Sequence, residues 1–382
     1  MQFSISDMLF LLVLFLVMFI AIFLYTSGKG RRMSNVLLGS FFLALGLNLA
    51  DSFLLLKQVY FSYPSLGLWG SNLLLLCGPL IFFYAQSVIY KDFHITTRKT
   101  IHFLPFAILF LFTEILYLAA GYQKQTDILN RILQRKLPGN MYIVSLGIYV
   151  HFVTYLLLAL QLIKQYGQAA ANQYADPKRV TLTWLKTTVW FFLLLLLVTL
   201  VGSYLSYLSF TKAYFIMLSG TVFLLLGFIV LMLFKALGNP AIFSVMEESE
   251  VKEAAQPAKY TSSALAEGDK KPILERLLQH MQTQKPYFEP ELTLDTLAAQ
   301  LQVKPKILSQ VINELQQQNF FEFINHYRIE EAKKLLNNPK DKKITVLEVM
   351  YEVGFNSKSS FNTLFKKSTG LTPSEYKKQS ME

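Results

Sequence analysis

The sequence predicts an all-α protein, with an N-terminal seven-helix transmembrane bundle and a C-terminal domain built from two helix-turn-helix units. Three observations predict it. Residues 1–246 contain seven apolar stretches, each near the ~20 residues that crossing a bilayer requires. Residues 294–314 and 346–376 repeat one design: two short helical stretches with a tight break between them, the second stretch polar on one side. Composition agrees, because 53% of the 382 residues are hydrophobic and only 16% charged, too apolar for an ordinary soluble chain.

The net charge of +11 is not spread evenly. Residues 1–246 hold 17 Lys and Arg against 6 Asp and Glu, residues 247–271 hold 4 against 6, and residues 272–382 hold 15 against 13. The excess therefore belongs to the apolar half, where it speaks for orientation in a bilayer rather than for nucleic acid. The one cysteine, Cys77, lies in an apolar stretch. It forms no disulfide framework within the chain, and packing as a small side chain accounts for it.

The predicted spans lie near Met8–Tyr25, Val36–Leu56, Trp69–Tyr90, Ile101–Tyr122, Met141–Ile163, Thr187–Leu208 and Tyr214–Phe234. The first lacks a basic leader and a small-residue cleavage site, so it is read as retained rather than as a signal peptide. With the N-terminus outside, inner loops carry eleven basic residues: Lys29, Arg31, Arg32, Lys91, Arg98, Lys99, Lys164, Lys178, Arg179, Lys186 and Lys235. Outer loops carry six: Lys57, Lys124, Arg131, Arg135, Lys136 and Lys212. This bias favours a multi-pass protein of the inner (cytoplasmic) membrane with a cytoplasmic C-terminus. The loop 123–140, with four of those six, runs against the trend.

Few polar groups lie at membrane depth. Asp51, Glu114 and His151 are candidate ligand-sensing residues, for a small-molecule or envelope signal or a proton, because ionisable groups in hydrocarbon are costly. The plainer alternative is that Asp51 and Glu114 reach the interface or make helix–helix hydrogen bonds. No chain of charges crosses the spans and no hydropathy repeat is evident, which speaks against a transporter.

Residues 247–271 lose the apolar periodicity to charge, Ser, Ala and Pro. They are expected to form a flexible tether of about 25–30 Å root-mean-square span. A helix over Pro272–Thr283 then precedes the first unit. Thr293 is a good N-cap for Leu294–Leu301, Gln302-Val303 makes the turn, and Pro305 opens the next helix at its first position. Leu294, Leu297, Ala298, Leu301, Leu308 and Ile312 would close a small core. A connecting helix over Phe320–Asn337, apolar on more than one side, is expected to be a rigid strut, ended by residues 338–341. The second unit opens with Thr345-Val346-Leu347-Glu348, a capping box. Gly354 turns the chain, Phe355 plugs the core, and a helix over Ser357–Ser368 buries Phe361, Leu364 and Phe365. Gly370 stops it, and Thr372-Pro373-Ser374-Glu375 caps a last short helix.

The stretch from Ile344 through Lys367, with Gly370-Leu371-Thr372-Pro373-Ser374-Glu375-Tyr376, resembles the signature of AraC/XylS-type transcription regulators. The strut sequence Arg328–Leu336 resembles theirs too, so the likeness covers about residues 272–380. The apolar half is more loosely similar to multi-span sensors fused to this domain in some bacteria. The resemblance implies two recognition helices in successive major-groove segments of double-stranded DNA, about 10 bp apart. Positions matching the family's DNA-facing ones are Lys304, Lys306, Ser309 and Gln310 in the first unit and Lys358, Ser359, Asn362 and Thr363 in the second. Lys donates to guanine, Gln and Asn pair with adenine, and Ser or Thr serve either. Lys366, Lys367, Lys377 and Lys378 are candidates for phosphate contacts. Neither recognition helix contains an arginine, which with the small domain charge predicts modest affinity and reliance on patch geometry or a homodimer.

The function so implied is a membrane-embedded one-component transcription regulator. The competing expectation is a receptor or transporter whose tail is a protein-interaction adaptor. An enzyme is not expected: there is no Gly-rich phosphate loop and no His-Glu-x-x-His pattern, and His94, His102, His151, His280 and His326 form no ligand cluster at helical spacing. No cofactor or metal is expected.

Overall fold

A computed structural model describes residues 4–28, 31–90, 92–134, 138–176, 182–208, 210–238, 267–337 and 344–379. The tether expected at 247–271 falls outside them up to residue 266. So do the loop cations Lys29, Lys91, Arg135, Lys136, Lys178 and Arg179 and the break at 338–341. The chain forms two compact units, residues 1–164 with 182–252, and residues 165–181 with 253–382.

Among its described residues the first unit is built from helices joined by turns. It contains α1 (Ile5–Thr26), α2 (Arg32–Leu56), α3 (Leu74–Ile89), the short α4 (Thr97–Thr100), α5 (Leu104–Ala119), α6 (Gly121–Leu133), most of α7 (Gly139–Gln173), α8 (Thr183–Tyr207) and α9 (Thr211–Gly238). Among the described residues six segments are long and apolar enough to cross a membrane, namely α1, α2, the run Thr97–Ala119, α7, α8 and α9. The third expected span is the exception. Its helix is only 16 residues, about 24 Å at 1.5 Å per residue. The residues before it turn instead: Leu68 takes a φ of 70°, and Asn48 of α2 donates to the Gly70 carbonyl at 3.0 Å. The core of this unit is aliphatic and aromatic, with Phe41, Phe83, Phe192 and Ile81 fully buried. Polar groups fasten its ends. Ser4 and Asp7 cap α1 reciprocally, and Asp7 also pairs with Lys57 at the end of α2. Arg31 donates to the last carbonyls of α3, at Ser87 and Tyr90, satisfying acceptors a helix end leaves open. The amphipathic α6 lies where the sequence suggested only a loop, burying Gln125 and Leu129.

The second unit is built from α10 (Glu267–Thr283), α11 (Leu294–Gln300), α12 (Pro305–Leu315), α13 (Phe320–Leu336), α14 (Val346–Glu352), α15 (Lys358–Thr369) and α16 (Pro373–Gln379). Helix α10 starts five residues before the expected Pro272, at Glu267. The expected caps are present: Thr293 accepts from Thr296 N–H, Thr345 and Glu348 form a full box, and so do Thr372 and Glu375. A further box, Asn319 with Glu322, starts α13.

Two small cores stand side by side on α13. Its first turns put Phe320, Phe323 and Ile324 into a cluster with Leu277, Leu297, Leu308 and Ile312. Its later turns put Ile329, Ala332 and Leu336 into a second cluster with Val349, Val353, Phe361 and Phe365. This double use explains why α13 is apolar on more than one side. It also makes the helix a shared wall, so neither helix-turn-helix unit can tilt without disturbing the packing of the strut.

Candidate nucleic-acid interface and membrane-depth polar groups

The local chemistry that presents α12 and α15 is legible residue by residue. Pro305 at the first position of α12 gives up an N–H that would find no helical partner. Leu308, Val311 and Ile312 are fully buried along one side, which turns the opposite side outward. There Lys304 and Lys306 are exposed, while Ser309 and Gln310 are half-buried. Gln310 donates to Glu314 at 2.8 Å, and Glu314 also pairs with Lys270 at 2.6 Å. Asn313 donates to the Ser309 hydroxyl at 3.2 Å. The outer face of α12 is therefore an ordered polar lattice that includes a carboxylate.

In α15, Ser357 caps the start, and Phe361 and Phe365 anchor the buried side. Lys358, Ser359, Thr363, Lys366 and Lys367 are exposed, and Asn362 is half-buried. The Thr363 hydroxyl donates to the Ser359 carbonyl at 2.7 Å, leaving its oxygen free to accept. The two lysines of the pair beyond differ. Lys377 is turned back onto the Ile344 carbonyl, whereas Lys378 is exposed. Sequence reasoning grouped them because spacing does not reveal that a carbonyl at the entry to α14 lies within reach.

Two residues fix the turn between α14 and α15 against the rest of the domain. Gly354 has a φ of +89°, and a Cβ there would come within 2.8 Å of the Tyr287 and Phe288 carbonyl oxygens. Arg328 of α13 is fully buried. It donates from Nε to the Tyr287 carbonyl and from Nη2 to the Glu289 carbonyl, each at 2.7 Å, and its guanidinium lies 5.5 Å from the Phe355 ring. Burial pulls Arg328 down to about 10, opposed by the Asp176 carboxylate, so it stays charged at neutral pH. The loop 286–289 is thereby clamped between the strut and the second turn. The sequence named Arg328 only as part of a strut pattern. Its clamping role depends on a loop about forty residues away.

In the first unit, the structure brings together two of the three candidate sensing residues. Asp51 is 4% exposed and accepts from the Tyr60 hydroxyl at 2.8 Å. Glu114, half-buried on α5, lies within electrostatic range of Asp51. Gly70 closes over Asp51 so tightly that a Cβ would sit 2.4 Å from the Asp51 Cβ. Nearby, Tyr117 donates to the Pro64 carbonyl at 2.7 Å, and Gln125 donates to the Tyr117 carbonyl at 3.0 Å. His151 keeps different company. Its ring meets Tyr155 edge-on at 4.9 Å, and Tyr155 in turn lies 2.6 Å from His102 Nδ1. Both His151 ring nitrogens are shielded from solvent and have no hydrogen-bond partner among the described residues. Among those residues, no group of three or more His, Cys, Asp or Glu is placed to hold a metal.

A shared strut, two capped helix pairs and an outward polar face on the second helix of each pair define a double helix-turn-helix domain. Comparison with known proteins agrees: residues 297–379 match the family described as "Helix-turn-helix domain". The C-terminal part of this chain is a helix-turn-helix domain of the AraC type. It is similar to the uncharacterized HTH-type transcriptional regulator YijO of Escherichia coli, 36% identical over 92 residues, which are 24% of this chain and 31% of that protein. It is equally similar, at 36% over 92 residues, to an uncharacterized HTH-type transcriptional regulator in the cgkA 5' region of Pseudoalteromonas carrageenovora, 24% of this chain and 52% of that protein. This chain thus spans from about a third to about half of the length of these relatives. Among solved structures, the C-terminal domain of AraT, a response regulator from Geobacillus stearothermophilus, is 30% identical, covers 31% of this chain and 88% of that one, and superposes with a TM-score of 0.25.

Proposed function

We propose that this chain is a membrane-embedded one-component transcription regulator. Its C-terminal domain binds specific DNA sites through α12 and α15, and its apolar unit senses a signal that controls this binding. The supporting observation is the single helix α13 lining both small cores, which suits two recognition helices held at fixed phase. Lys304, Lys306, Ser309 and Gln310, with Lys358, Ser359, Asn362 and Thr363, face the base edges in this account. Lys366 and Lys367 meet phosphates, joined by the exposed Lys378 rather than the engaged Lys377. Orientation follows the loop charges, with the N-terminus outside and the helix-turn-helix domain in the cytoplasm, which requires the shorter α3 to cross as a seventh segment beside the six of membrane length. The buried Asp51, the half-buried Glu114 and His151, whose ring nitrogens find no hydrogen-bond partner among the described residues, are the polar groups in the apolar unit best suited to register a small-molecule or envelope signal.

Mapping of chromosomal fragments cross-linked to the full chain in cells tests this directly. Enrichment of discrete promoter fragments, lost in Lys358→Ala/Asn362→Ala, is the expected result. Recovery at background level, with protein partners co-purifying instead, contradicts the regulator and supports an adaptor tail.

A further inference from the structure

One piece of the chain belongs, by sequence, to a loop between two spans, and by packing to the DNA-binding domain. Residues 165–181 group with the C-terminal unit. Gln173 is the last residue of α7, and its side-chain amide donates to the Asp295 carboxylate in the first turn of α11. Tyr174 then pairs with Thr293, the N-cap of α11, as an antiparallel bridge. Ala175 N–H donates to the Leu292 carbonyl at 3.2 Å. The Ala175 carbonyl in turn accepts from Asn325 Nδ2 at 2.9 Å. Asp176 acts electrostatically on Arg328. Ala175 is 1% exposed and is a member of the first helix-turn-helix core.

These are not the contacts of a passing surface loop. Asn325 is 3% exposed, and a buried amide is retained only where its donors find acceptors. One of its N–H groups serves the Phe321 carbonyl of its own helix at 2.8 Å, while the Ala175 carbonyl is its acceptor from outside α13. The backbone of Tyr174 and Ala175 lies alongside Leu292 and Thr293, the chain that leads into α11. The hydrogen bonds and the bridge above go to α11, its N-cap and α13. The segment therefore grips the scaffold of the first unit.

We propose that residues 173–176 are a docking strap, an interaction site on the first helix-turn-helix unit for the chain between α7 and α8. Through it the spans control how α11 and α13 hold α12. The docking stands by itself, and its regulatory role rests on the function proposed above. The DNA-binding domain is then attached to the apolar unit at two points in the sequence, and a shift of α7 reaches the strut without passing through residues 239–266.

The test uses the full chain in membrane vesicles, with Tyr174→Cys/Thr293→Cys and a protease site inserted between residues 247 and 266. Residues directly opposite in an antiparallel pair have Cα atoms about 4.5–5.5 Å apart, within disulfide reach. The native Cys77 is fully buried and does not compete. After mild oxidation and cleavage, the two halves should stay joined on a non-reducing gel, at roughly ten times the yield of the control pair Tyr174→Cys/Ser368→Cys. Asn325→Ala should lower that yield severalfold. Yield at the control level overturns the docking. Binding of a selected DNA duplex by the same vesicles is then measured before and after reduction. A change in apparent affinity supports the coupling, and an unchanged affinity overturns it. A chain that cross-links fully yet binds no duplex in either state upholds the strap and overturns the regulator function instead.

Discussion

Arg328 and Gly354 are the residues on which the geometry of the DNA-binding domain turns. Replacing Arg328 by Ala strands the Tyr287 and Glu289 carbonyls and leaves a void beside Phe355. The expected loss is about 3 kcal/mol, from lost charge-assisted hydrogen bonds and packing. Arg328→Lys should recover only part of it, since an ammonium cannot fork to two carbonyls. At Gly354 an added Cβ meets two carbonyl oxygens in a backbone conformation that side chains rarely adopt, so Gly354→Ala should cost about 2 kcal/mol or more. Pulse proteolysis of the full chain in vesicles, followed with an antibody to the C-terminus, reads both. Wild-type resistance in either variant would contradict the clamp. The residues proposed to face DNA should behave differently from these. Asn362→Ala should relax base preference at one position and cost about 1–3 kcal/mol, while Lys366→Ala should weaken all sequences alike and reduce the salt dependence by about one charge.

At the scale of elements, the caps of α14 and α16 carry a pH dependence. The Glu348 carboxyl is held below its ordinary value of 4.5, chiefly by the Thr345 backbone N–H, and Glu375 likewise by Thr372. A folded value below the unfolded one means stability that is present above about 4.5 and lost as the pH falls through the folded value. The second helix-turn-helix unit should therefore loosen below about pH 4.5, and Glu348→Gln/Glu375→Gln should flatten that dependence in hydrogen exchange of α14 and α16. Elements with local signals were readable from sequence. Capping boxes, Pro305 and the apolar spacing of α11, α12, α14 and α15 lie within a turn or two of what they determine. The strut was readable as well, because Phe320 through Leu336 is apolar on too many sides for a one-sided helix. What stayed hidden depends on partners distant in sequence. The grip of residues 173–176 on α11 joins chain more than a hundred residues apart. The shortening of α3 follows from Asn48 holding the Gly70 carbonyl. Burial of α6 rests on Gln125 finding the Tyr117 carbonyl. Lys377 could not be told from Lys378 for the same reason.

At the scale of the whole molecule, one chain carries an AraC-type domain and, among its described residues, six membrane-length helices. A sensor wired through α7 predicts that signal response and DNA binding can be separated by mutation. Asp51→Asn, Glu114→Gln and His151→Gln, singly and combined, should alter the response of a reporter while leaving the protein's affinity for DNA in unstimulated vesicles unchanged. A wild-type response in the triple variant would remove these groups from sensing. The central claim, however, is the fixed phase of two recognition helices on one strut, and selection of duplexes from a random pool by the full chain in nanodiscs at low ionic strength tests it most directly. The expected product is a two-part site with half-sites about 10 bp apart, whose binding collapses when about five base pairs, half a helical turn, are inserted between them. A pool that stays random, or a site that tolerates the insertion, would contradict the account.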